Sequence, residues 1–300
     1  MSEIRQRWRL VFARGDEARY LSHLDAVRLW ERAFRRGEIP VATSEGFSPR
    51  PKLIFAAPLQ LGMVAEHELA DLYLAERLTV AGLRDRLAAG MPSGYTIVDL
   101  HDVWIGDPAL APQLTAADYR MTLLNVEPAA LKAAVGCLLT AERLPRERRK
   151  ETRAIPYDLR PLLLELRAGP ADPGALPLDA DPAEAAGLWM RLRHSQDRGS
   201  GRVEEVVAAL ADEMGLRARV GGDDEATEAK EASETGAAGA SIEGPVEPAG
   251  VSGAVEGTPE TTASRTAGPA VEVVRPVRER LWLATELESA GRPPPAAPAI

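Results

Sequence analysis

The hydrophobic pattern opens with WRLVFA at residues 8–13, an extended run that predicts a strand. Gly15-Asp16 marks a turn, and Ser22-His23-Leu24-Asp25 reads as a capping box at the start of a helix. Val27, Trp30 and Phe34 then recur at i, i+3 and i+7, a single apolar stripe. Arg28, Arg32 and Arg35 run along the adjacent flank with Arg36 beside them, and Gly37 with Pro40 stops the helix. Residues 41–44 are short and extended. The stretch from Ser44 to Lys52 reads as a stiff turn, since Pro49 and Pro51 fix φ twice. It is expected to pair residues 41–44 with a strand at 52–57, holding out Arg50 and Lys52 either as an anion grip or as two solvated cations. Residues 68–75 predict a strand, 78–89 a helix ending at Gly90-Met91-Pro92, and 95–103 an alternating strand.

This β-α-β-β-α-β order predicts a ferredoxin-like unit over residues 1–110. A second round follows, with a strand at 119–124 and a helix from Pro128 to about residue 139. Then come a charge run at 143–153 expected as a solvated loop or at most a phosphate-contact strip, a Tyr157-Asp158-Leu159-Arg160-Pro161 turn and a Leu-rich segment. A strand at 187–194, a helix at 202–210 and a strand at 273–284 complete it. The expected fold class is therefore α+β, with two tandem ferredoxin-like (βαββαβ) units. The second, degenerate unit spans 111–220 plus 272–288 and is interrupted by an insertion at 221–271. That insertion has no aromatic residue and is rich in Glu, Ala, Gly, Thr, Ser and Pro, so disorder is expected. A flexible tail is expected at 289–300.

Charge changes the picture. The net charge of −9 argues against nucleic acid, but residues 221–271 carry ten acidic and two basic residues, which leaves the remainder near neutral. Residues 1–60 hold eleven Arg or Lys against seven Asp or Glu, enough for a local basic patch. One cysteine, Cys137, excludes an internal disulfide framework and any Cys-rich metal site, and its apolar surroundings predict a buried thiol. The amino terminus has no apolar signal core, and no run reaches the ~18 apolar residues of a membrane span, so a cytoplasmic protein without membrane partners is expected.

The SHLD motif, the Arg-rich helix ending in RRGEIP, and SEGFSPRPK followed by PLQLG at 58–62 resemble the radical SAM-linked protein family. That family is a domain of unknown function encoded beside, or fused to, a radical S-adenosylmethionine protein. The resemblance continues in the YDLRP run at 157–161 and the RERLW strand at 278–282. It implies a companion of a radical SAM enzyme. With a single cysteine the chain cannot itself supply the three-cysteine cluster of such an enzyme, so no cofactor of its own is expected.

Among candidate chemical groups, His23 stands in a first helical turn, either as an acid–base group or as a histidine bonded between cap and sheet. Asp158 and Arg160 read as a second site between the units or as a salt-bridged turn. Trp189 and Trp282 on strands read as packing, with base stacking the alternative. Arg28, Arg32, Arg35, Arg36, Arg50 and Lys52 form the candidate RNA-binding or anion-binding set. Three functions follow: a non-catalytic radical SAM partner presenting a structured RNA, a metal-independent endoribonuclease using His23, or a protein–protein adaptor without nucleic acid.

Overall fold

The structure, a computed structural model, describes residues 3–44, 49–150, 153–195, 197–219 and 270–286. The first half contains β1 (Gln6–Arg14), α1 (His23–Arg36), β2 (Leu53–Phe55), β3 (Val64–Leu74), α2 (Val80–Gly90) and β4 (Tyr95–Val103). The second contains β5 (Leu114–Leu124), α3 (Pro128–Thr140), the hairpin β6 (Pro145–Lys150) and β7 (Arg153–Asp158), β8 (Leu163–Pro170) and β9 (Ala185–Ser195). It continues through β10 (Gly199–Ser200), α4 (Val203–Glu213), β11 (Arg217–Arg219) and β12 (Ala270–Leu283). The fold is α+β, and no described helix is long and apolar enough to cross a membrane.

Among the described residues ten strands make one sheet, while β6 and β7 pair only with each other. In the first half the spatial order is β4-β1-β3-β2, every neighbour antiparallel. In the second half it is β12-β5-β9-β8, again antiparallel throughout. The halves join where β12 runs parallel to β3, with Val277 opposite Val64 and Arg278 opposite Ala65.

Alternation along β1 sends Trp8, Leu10 and Phe12 to one face, where α1 and α2 cover them with Trp30, Phe34, Leu83 and Leu87. Burying each such side chain stabilises the fold by roughly 1.5–3 kcal/mol. The helices can close because Gly37 and Gly90 admit backbone contact: a Cβ on Gly37 would stand 2.3 Å from the Arg86 carbonyl oxygen, and one on Gly90 2.2 Å from that of Ala33. The second half packs Leu131, Leu138, Val206 and Leu210 from its helices against Met121, Leu123, Leu188 and Met190.

Several local expectations are corrected. Residues 41–44 do not ladder with β2, which pairs with β3 instead; only an isolated Thr43–Pro51 bridge and a Val41–Leu74 bridge form. Pro49 and Pro51 offer no N–H donors, so a longer ladder cannot assemble there. The charge run at 143–153 is not a solvated loop but the β6–β7 hairpin, held because Arg148 grips Glu205 at 2.6 and 2.8 Å and Arg146 reaches Asp212. Cys137 is exposed, because the buried stripe of α3 falls on Leu131, Ala134, Val135 and Leu138. Most of the expected acidic insertion at 221–271 lies outside the described residues, its last two positions belonging to β12. Residues 45–48 and 287–300 lie outside them as well, and with them the tail expected at 289–300.

Candidate functional site

Helix α1 is capped as its sequence predicts, but with a different reciprocal bond. Ser22 Oγ accepts from the Asp25 N–H at 3.2 Å, and the Asp25 carboxylate accepts from the Ser22 hydroxyl at 2.8 Å rather than from the backbone N–H. Its buried face is Ala26, Trp30, Ala33 and Phe34, with Val27 half-buried. Arg28, Arg32 and Arg35 are exposed along the outer flank. Arg28 lies 3.5 Å from Asp25, Arg35 reaches only the Glu31 carbonyl at 3.4 Å, and Arg32 has no acidic partner among the described residues. Arg36 is committed to structure, donating to the Gly90 carbonyl at 2.7 Å and tying α1 to the end of α2.

The sheet separates this flank from Lys52. Leu72 and Leu74 of β3 face α1, so Tyr73 faces away, and the Lys52 ammonium lies 4.6 Å from the centre of that ring. Arg50 is exposed, with its backbone N–H on Ser44 Oγ at 3.1 Å.

Asp158 and Arg160 do not pair through their charged groups. Asp158 accepts from the Leu144 and Arg160 N–H groups at 2.8 and 3.0 Å, which with nearby Arg143 lowers its pKa, the Leu144 bond foremost. Arg160 donates to the carbonyls of Leu139, Ala141 and Leu163, closing the end of α3. They make a structural turn.

His23 lies at the mouth of a cavity of about 20 Å³ lined by Phe12, Arg14, Ala26, Phe55, Leu59, Glu68 and Tyr95, among others. Its ring meets Phe55 edge to face at 5.6 Å. Burial lowers its pKa and the Arg14 charge lowers it further. Arg14 is 3% exposed and donates to the carbonyls of Ala18, Arg19 and Leu21, each at 2.8 Å, which fixes the turn that delivers His23. Tyr95 stands opposite Arg14 in the β1–β4 ladder, its pKa raised by burial with Arg14 acting the other way. Deeper in, Glu68 is clamped by Arg278, and burial raises the pKa of the adjoining Tyr119. Among the described residues no group of three His, Cys, Asp or Glu side chains could hold a metal ion.

Sequence reasoning passed over Arg14, Glu68, Tyr95 and Arg278. A signal existed: Arg14 continues the Trp8, Leu10, Phe12 face, and Glu68 shares its face with Ala70, Leu72 and Leu74, so both charges fall on apolar stripes. Also unforeseen is a stack on the opposite face of the sheet. Arg167 lies 4.5 Å from the Trp189 ring centre, Arg191 lies 5.5 Å from Trp189 and 4.7 Å from Trp282, and Arg280 lies 4.3 Å from Trp282. Both rings carry guanidinium groups, so these tryptophans pack against cations outside the core.

A family model described as "Uncharacterized protein conserved in bacteria (DUF2344)" matches residues 7–197. No curated protein matches the chain. Among solved structures it is similar to the crystal structure of an unknown protein from Galdieria sulphuraria, with 14% identity, a TM-score of 0.21, and coverage of 70% of this chain and 94% of that one. At that score the likeness carries no information about fold.

Proposed function

The chain belongs to the DUF2344 family of uncharacterized bacterial proteins, and on that premise we propose that it is a non-catalytic partner of a radical SAM enzyme that holds a structured RNA. The carrying observation is the outer flank of α1, where Arg28, Arg32 and Arg35 are exposed on one side of a rigid, capped helix. Three guanidinium groups spaced along a helix suit phosphate contacts, which fix register on a structured RNA. By contrast Arg14, Arg36, Arg148 and Arg160 are engaged within the protein, and Arg278 is locked to Glu68.

Two ferredoxin-like units are the finer reading of the fold. Each half places its strands in the order fourth, first, third, second, provided the β6–β7 hairpin and the short strands β10 and β11 are set aside in the second. The partnership with a radical SAM protein rests on the resemblance carried by SHLD, RRGEIP and SEGFSPRPK.

The test is fluorescence anisotropy of a labelled, folded RNA against salt. Wild type is expected to bind at ~50 mM salt, and the Arg28→Ala, Arg32→Ala, Arg35→Ala triple variant to bind weakly. The slope of log K against log salt should flatten by roughly two to three. Equal slopes for the two proteins, or no binding by wild type, would remove the RNA reading and leave the adaptor.

A further inference from the structure

We propose that the cavity beneath the amino end of α1 is an oxyanion site, taking one oxygen of a phosphate or carboxylate group between Arg14, Tyr95 and His23. The first argument is charge. Arg14, Arg278 and Glu68 are each 3% exposed, so two buried cations share one buried carboxylate. Arg278 Nε lies 2.6 Å from Glu68 Oε1 and its Nη2 takes the other oxygen, which leaves Arg14 without a carboxylate of its own. A buried charge without a counter-ion is costly, and an entering anion would relieve it.

The second argument is an excess of donors. Arg14 directs Nε and Nη2 to carbonyls, and no described residue accepts from Nη1. Tyr95 is only 7% exposed and lines the cavity; its hydroxyl oxygen takes a hydrogen bond from the Trp30 side chain, which leaves its own O–H to donate. The Trp30 indole lies beside it, the two ring centres 5.7 Å apart. An oxyanion could accept from Arg14 Nη1 and from the Tyr95 O–H together. His23 and Ala26 of the first turn of α1 also line the space, and the positive end of that helix favours negative charge there.

Size decides the class of ligand. A volume of about 20 Å³ is about the room of one water-sized oxygen atom. The body of the ligand must therefore remain at the mouth, against half-buried His23 and Leu59. That suits a terminal oxyanion and excludes a ring buried in the cavity.

Isothermal titration of the full chain with inorganic phosphate, acetate and chloride at constant ionic strength tests this, with no RNA present. Saturable binding of phosphate or acetate is expected, with the stronger of the two identifying the group. Affinity should fall roughly tenfold in Tyr95→Phe, which removes one charge-assisted hydrogen bond. His23→Asn provides a second, half-exposed variant with an expected loss of several-fold, while Arg32→Ala on the outer flank should bind phosphate as wild type does. The proposal is overturned by no saturable heat, by chloride binding as well as the oxyanions, or by both cavity variants matching wild type. Because Arg32→Ala affects only RNA binding, failure here and failure of the RNA reading are told apart.

Discussion

Arg278 and Glu68 form a fully buried, two-pronged ion pair at the junction where β12 runs beside β3. The pair joins a residue near the end of the second half of the sheet to one in the first. Removing either partner strands a charge, so Glu68→Ala or Arg278→Ala should each cost about 3–5 kcal/mol. Urea unfolding of both single variants and the double variant checks this, and the double should cost clearly less than the two singles added. Additive costs would show that the two side chains act independently.

Two glycines should respond in opposite ways to alanine. At Gly90 the new methyl would press on the Ala33 carbonyl, a backbone atom that cannot turn aside, and Gly90→Ala should destabilise by about 1–3 kcal/mol. Gly136 lies within α3 with nothing within 4 Å of its added Cβ, so Gly136→Ala should stabilise by about 0.5–1 kcal/mol. Thermal melts of the two variants side by side give both signs.

Acid should loosen the fold through its histidines. Burial, reinforced by Arg278, holds His194 down at about 4, and burial with Arg14 lowers His23. In the unfolded chain each titrates near its ordinary value, about 6.5. Between those limits the unfolded state binds more protons, so stability present above roughly pH 6.5 is lost as pH falls towards 4. His194 accounts for up to about 2–3 kcal/mol of that loss. His194→Asn should flatten the fall in urea midpoint from pH 7 to 4, and an imidazole resonance of His194 titrating near pH 6.5 in the folded protein would contradict it.

The opposite faces of the sheet should separate in RNA binding. Arg50→Ala with Lys52→Ala removes as many cations as Arg28→Ala with Arg32→Ala, but Lys52 lies over Tyr73, away from α1. The α1 pair should therefore lower the salt slope by roughly two, and the loop pair by less than one. Each pair should change stability by no more than about 1 kcal/mol. In the same preparations, RNA cut by wild type but not by His23→Ala would replace the partner reading with a nuclease.

Much of the fold was legible because period and punctuation agreed. The alternation in YTIVDLHDV gave β4 to the residue, and the Ser22 cap with Gly37 bounded α1. Less legible were features decided by distant chain. Arg146 and Arg148 look solvated until α4 supplies Glu205 and Asp212, about sixty positions on. The cavity around His23 was half visible. The helix start that carries it could be read locally, whereas the Glu68–Arg278 pair depends on two strands more than two hundred residues apart in sequence. Charges on apolar stripes, Arg14 and Glu68, were the clue that local reading left unused.

The position of β12 bears on how the molecule is made. Residues 270–283 leave the ribosome after every other described strand, yet they occupy the seam between β3 and β5. Until they emerge, β3 and β5 each present an open edge to solvent or to another nascent chain. The half containing Trp30 and Phe34 can assemble early, while its neighbour must wait for its fourth strand. A chain stalled before residue 270 should therefore depend on chaperones and aggregate readily, even though both helical layers have already been synthesised.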